Sequence, residues 1–293
     1  MRLRRYNPNN INVESTGAGG RGRFPGGGGG KVGLGTIIIA LIAYFVFGAD
    51  PQQFLGSGQN SGNGQMSQSA GSQLSEEQAC NQSEYALEAC NALSSLNETW
   101  EPIFAANNVR FKAPGLNLFR DGRVNTGGCG SATSAAGPFY CPADQKIYID
   151  TSFYDMMAQR MGAGGDFARY YVIAHEYGHH IQTVTGLSEQ IRSAQAQNPR
   201  ASNQLQVRME LQADCYAGVW ASKNRNAIEP GDLEEGLTAA AAIGDDTLQR
   251  NAGQRINPEA FTHGTSEQRM QWLRTGLRTG DSNACDTFSD LRG

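Results

Sequence analysis

No C-x2-C pair occurs among the six cysteines, so a zinc–thiolate cluster of the finger or ribbon type has no framework here. No internal repeat is present, which excludes a solenoid or propeller. Charged residues make up only 18% of the 293, and basic ones are the scarcer where they would matter. After residue 75 the chain carries 18 basic against 26 acidic groups, a net of −8. A domain that acidic is poorly suited to gripping phosphates, and no nucleic-acid partner is expected.

Glycine, by contrast, is abundant and unevenly placed. Of 37 glycines, 17 fall in the first 75 residues. Within that quarter, residues 32–48 (VGLGTIIIALIAYFVFG) carry no charge, a length at the short end of what crosses a bilayer. A cleaved signal peptide is the competing reading, but Phe47 stands where a small residue is wanted before a cut after Ala49. The expectation is a retained transmembrane anchor in contact with the lipid bilayer. Six basic residues precede it and Asp50 follows it, so residues 1–31 are expected in the cytoplasm and the rest outside. Residues 49–75 read as a flexible Gln/Ser/Gly linker, leaving 76–293 as an extracytoplasmic domain held at the cell membrane.

All six cysteines lie in that domain, where an oxidising compartment permits disulfides. Six cysteines allow 15 pairings; proximity favours Cys80–Cys90 and Cys129–Cys141, leaving Cys215 with Cys285. The spacing of apolar residues predicts helices near 76–99, 151–161, 166–186, 201–226, 231–250 and 266–278. Strands are expected at 109–112, 116–120 and 146–150, with Asp121-Gly122 as a hairpin turn into Arg123-Val124. The 146–150 strand is the expected edge of a substrate cleft. A few strands followed by packed helices is an α+β arrangement.

His175-Glu176-Tyr177-Gly178-His179 is an H-E-x-x-H inside an apolar-periodic helix. Positions i and i+4 share a face, so His175 and His179 can present nitrogens to one ion, and Glu176 can act as general base. Catalytic zinc needs a third protein ligand. The H-x-x-G-x-x-H extension is missing, since Gln182 and Thr185 occupy its glycine and histidine positions. The next long helix offers Glu210 and Asp214, again i and i+4, within VRMELQADCYAGVW. Glu210 is the candidate third ligand, and Asp214 the candidate acceptor for the outer N–H of a ligand histidine. His263 precedes a helix N-terminus and is a candidate oxyanion donor, with a loop histidine bonded to backbone as its alternative. His180, turned about 100° from His179, reads as structural.

HEYGHHIQ, ELQADCYAGVW, GPFYCPADQKIYID, HGTSEQR and the glycine-rich N-terminus together resemble the bacterial membrane-anchored family of predicted neutral zinc metallopeptidases. The resemblance covers nearly the whole chain. It implies a zincin-like α+β fold with a small antiparallel sheet, a gluzincin-like Zn2+ site of His175, His179 and Glu210, and Glu176 as base. The implied activity is hydrolysis of peptide or protein substrates at the outer face of the cytoplasmic membrane. The alternative is a non-catalytic zinc-containing scaffold or partner-binding module of the envelope.

Overall fold

The expected α+β arrangement is present in the computed structural model, which describes residues 1–16, 74–120 and 122–289. Strand β1 (Val13–Ser15) precedes helices α1 (Glu76–Cys80) and α2 (Glu84–Ala106). Strands β2 (Gly115–Phe119), β3 (Arg123–Asn125), β4 (Ser131–Thr133), β5 (Phe139–Cys141) and β6 (Lys146–Asp150) follow. Then come α3 (Ser152–Arg160), α4 (Asp166–Val184), α5 (Leu187–Gln197), α6 (Ser202–Lys223), α7 (Asp232–Ala242), α8 (Asp245–Asn251) and α9 (Ser266–Thr279).

The expected antiparallel sheet is corrected to a mixed one, with strand order β1-β2-β6-β5. β1, β2 and β6 run parallel, and only β5 pairs antiparallel, on the outer side of β6. All five residues of β2 are buried, as in strands covered on both faces. The expected 121–122 hairpin does not form a β2–β3 pair. Both edges of β2 are taken by β1 and β6, and β3 pairs instead with β4, Val124 opposite Ala132. Those two side chains close a small cluster with Phe119, Ala136, Cys141 and Tyr148. Residues 109–112 are irregular, and β6 is interior, so β5 replaces it as the edge strand.

α4 is buried on almost every side, which is the behaviour of a helix apolar around its whole circumference. It packs against α2, α6 and α7 and touches β5 and β6. Gly186, at φ 80°, ends the helix-forming run and turns the chain into α5, a helix the sequence pattern does not announce. α5 has little apolar surface: Ile191 joins Leu205, Met209 and Phe288 in a satellite cluster. The predicted 231–250 helix is broken at Gly244, whose backbone approaches the start of α9; a Cβ there would lie 2.4 Å from the Ser266 nitrogen.

The three disulfides are Cys80–Cys90, Cys129–Cys141 and Cys215–Cys285, the pairing that proximity favours. The last ties α6 to the segment after α9. These two helices cross at Gly218 and Gly276, where a Cβ on Gly276 would stand 2.0 Å from the Cys215 carbonyl oxygen. Because backbone, not a flexible side chain, blocks that space, Gly276→Ala should destabilise the domain by about 1–3 kcal/mol. The measurement is a thermal melt, and an unchanged midpoint would show that α6 and α9 separate freely.

Residues 1–16, expected as part of a separate cytoplasmic segment, belong to the body of the domain. Met1, Tyr6, Ile11 and Val13 are buried in the main core, and Val13 stands opposite Leu116. The Met1 amine donates to Asp166 and Asp232 at 2.9 Å each, at the first residues of α4 and α7. Residues 1–16 and 74–289 therefore lie on one side of any membrane, and a single crossing that separates them is corrected on that ground. Residues 32–48 and the linker 49–73 lie outside the described residues. Among the described residues, no helix is long and apolar enough to cross a membrane.

Candidate metal centre

Two helices bring the site together. His175 and His179 share one face of α4, Glu210 and Asp214 one face of α6, and the helices approach through Gly178, where a Cβ would lie 2.8 Å from the Ala213 Cα. The closeness lets short-range chemistry span the interface. Glu210 Oε2 lies 3.1 Å from His175 Nε2 and 3.5 Å from His179 Nε2. One donor atom from each of the three residues lies within 4.8 Å of the others. Four-coordinate zinc with bonds near 2.0–2.1 Å keeps neighbouring donors about 3.3 Å apart, so this donor set fits the ion in spacing and chemistry.

Each imidazole is held from behind. His175 Nδ1 pairs with Asp214 Oδ1 at 2.8 Å, and His179 Nδ1 with Gln182 Oε1 at 2.9 Å. Both acceptors favour the tautomer with hydrogen on Nδ1, which leaves each Nε2 lone pair for a metal. Gln182 is fixed in turn, donating to the Met209 carbonyl at 2.7 Å and to Gln212 at 3.1 Å. Gln206 donates to the outer oxygen of Glu210 at 2.8 Å. Asp214 lies behind His175 and accepts from more than that histidine. Tyr171 donates to its Oδ1 at 2.5 Å, and Arg269 donates to Oδ2 through Nε and to Oδ1 through Nη2, both at 2.9 Å.

The electrostatics follow from burial and these partners. Burial disfavours the Asp214 carboxylate, but the Arg269 guanidinium and His175 outweigh it and lower its pKa. Burial likewise opposes charge on His175, yet Asp214 overcomes it and lifts the imidazole to about 9. The Glu210 carboxyl is buried too, and the two histidines hold it well below the carboxylate range. Glu176 goes the other way: burial raises its pKa, only partly opposed by His175 and His179. A carboxylate of raised basicity beside the donor set is the electrostatic setting of a general base.

The centre opens into a cleft of about 720 Å³ lined by Glu176, His175, His179, Glu210 and His263. Its lining also includes the apolar side chains of Pro138, Phe139, Pro142, Phe153, Met161 and Leu248. His263 does reach this cleft, and its backing is visible: Nδ1 lies 3.2 Å from Asp245 Oδ1. The other Asp245 oxygen accepts the backbone N–H groups of Thr262, His263 and Gly264, which shapes the loop. His180 is structural; its Nε2 donates to the Lys112 carbonyl at 2.6 Å and its Nδ1 accepts from Tyr140 at 3.0 Å.

Arg269, Tyr171, Gln182 and Gln206 escape the sequence reading of the site. Gln182 is visible there only as a residue in place of a metzincin glycine, whereas three residues after His179 is where an orienting side chain on the same helix belongs. Arg269 has no local signal; it comes from α9, 55 residues after its partner.

Two buried helices presenting two histidines and one carboxylate form a donor set that could hold a zinc-type ion beside a cleft. Residues 1–288 match the family described as "Putative neutral zinc metallopeptidase", and the chain belongs to that family. It is similar to the "Uncharacterized protein YpfJ" of Escherichia coli strain K12, 42% identical over 267 residues that cover 88% of this chain and 87% of that one. It is also similar to the "Uncharacterized protein Rv2575" of Mycobacterium tuberculosis, 44% identical over 209 residues, 67% of this chain and 68% of that one. No solved structure matches the chain.

Proposed function

We propose that this chain is a zinc-dependent peptidase in which His175, His179 and Glu210 hold the ion and Glu176 is the general base. The observation that carries the reading is the convergence of three donor atoms within 4.8 Å on the wall of a cleft. Zinc bound there would acidify a water and polarise the scissile carbonyl. Glu176 takes the proton of the attacking water and passes it to the leaving amine, which requires an ionised carboxylate at the start. His263, steadied by Asp245, is placed to donate to the oxyanion. The outer strand β5 contributes Phe139 and Tyr140 to the cleft, and an extended substrate can add along it by backbone pairing.

Three disulfides support an oxidising compartment, hence the outer side of the cytoplasmic membrane. The apolar run 32–48 supports bilayer contact by its sequence alone.

The test is hydrolysis of a mixed peptide substrate by zinc-loaded protein, stopped by a chelator and restored by zinc. The same chelation separates enzyme from scaffold. The core rests on α4 and the disulfides, so the metal-free protein should keep its far-UV circular dichroism and melt cooperatively within a few degrees of the loaded form. Unfolding on chelation would favour the structural, non-catalytic reading.

A further inference from the structure

The cleft carries one charge that neither holds the metal centre nor supports it. Arg192, on the exposed face of α5, lines the same cavity as Glu176 and His179. Among the described residues, no carboxylate pairs with its guanidinium within ion-pair distance. The other cleft arginine, Arg269, is fully committed to Asp214. The remaining cleft carboxylates, Glu176 and Glu210, are at the metal centre itself. Resting on the peptidase reading, we propose that Arg192 is a specificity residue that selects peptides bearing a carboxylate near the scissile bond.

The placement supports this. His175, His179 and Thr183 line the cavity in successive turns of α4, so Thr183 marks a position one turn, about 5.4 Å, beyond the second histidine. Tyr140 lines the same cavity and is bonded to His180. Thr183 Oγ1 lies 3.3 Å from Ser188 Oγ at the start of α5, and Ser188 and Arg192, at i and i+4 on one face of that helix, both line the cavity. The guanidinium thus belongs to the Thr183 end of the cleft, on the far side of His179 from His175 along α4. Outside the metal centre the lining holds apolar and neutral polar side chains and no carboxylate, so an arriving carboxylate finds one uncommitted cation and no competing anion. A planar fork of donors suits a carboxylate better than any neutral group. The carboxylate can be an Asp or Glu side chain or the free C-terminus, and both offer the same chemistry.

The experiment digests a mixed peptide library with zinc-loaded wild-type protein and with R192A, R192E and E176Q, reading cleavage sites by mass spectrometry. Each peptide is supplied with a free and an amidated C-terminus. The wild type should favour acidic residues, or the free terminus, within about three positions of the cut. In R192A the ratio of kcat/KM for acidic over neutral peptides should fall about fivefold to tenfold, and R192E should turn the preference toward Lys and Arg. Loss of the preference on amidation assigns the carboxylate to the C-terminus; its persistence assigns it to a side chain. Wild-type cleavage without acidic preference, or a preference undiminished in R192A, overturns the proposal and leaves the peptidase reading standing. No cleavage by any form, or equal cleavage by E176Q, overturns both.

Discussion

Glu176→Gln should retain its zinc and lose about a thousandfold in kcat. The amide keeps the size of the side chain and cannot accept the water's proton. General acid–base catalysis by a placed side chain is worth about 10²–10⁴, and the proposed mechanism uses Glu176 in both transfers. Its carboxylate is buried, borders the cleft, and is lifted in pKa by that burial, yet it is not among the three donors that converge. The ion should therefore stay: metal analysis is expected to return the same stoichiometry for both proteins. A variant that hydrolyses peptides at the wild-type rate would rule out Glu176 as the base.

Asp214→Asn should destabilise the metal-free domain by about 3–5 kcal/mol and weaken zinc binding by about 10- to 100-fold. Asp214 is fully buried and is the shared acceptor for His175, Tyr171 and Arg269. Asparagine preserves its shape, but it removes the charge that pairs with a guanidinium only 1% exposed. One amide oxygen cannot accept all the donors aimed at two carboxylate oxygens, and the amide nitrogen adds a donor facing others. Urea unfolding of the chelated protein reads the first effect and a zinc competition titration the second. Stability within 1 kcal/mol of wild type would mean that Arg269 finds another partner, and the network around Asp214 would need redrawing.

Much of the centre was legible in the chain because its parts are local. H-E-x-x-H and E-x-x-x-D each place two groups on one helical face, and the helix period alone brings His175 to His179 and Glu210 to Asp214. Helices with strong apolar periodicity were also legible, as were the disulfides, two of which close short loops. Other elements left no such mark. α5 buries only a narrow stripe, and its start depends on the left-handed turn at Gly186. β1 lies in a stretch of Asn, Val and Glu that becomes a strand only because β2 offers an edge 103 residues away. Local charge and hydropathy pointed residues 1–31 toward the cytoplasm, whereas the pairing of Val13 with Leu116 places residues 1–16 with the domain.

The sequence by itself determined which chemistry is available: two imidazoles and a base on one helix, a carboxylate pair on another, and six cysteines with no thiolate spacing. Periodicity acts over a few residues, so it can say which groups share a face. Only the tertiary structure decided that the two faces meet, that Arg269 and Gln182 hold the groups behind them, and that Arg192 looks into the same cleft. Those relations depend on close helix crossings at Gly178 and Gly276. They join residues from distant parts of the chain, and burial makes each such contact strong enough to set charge and orientation.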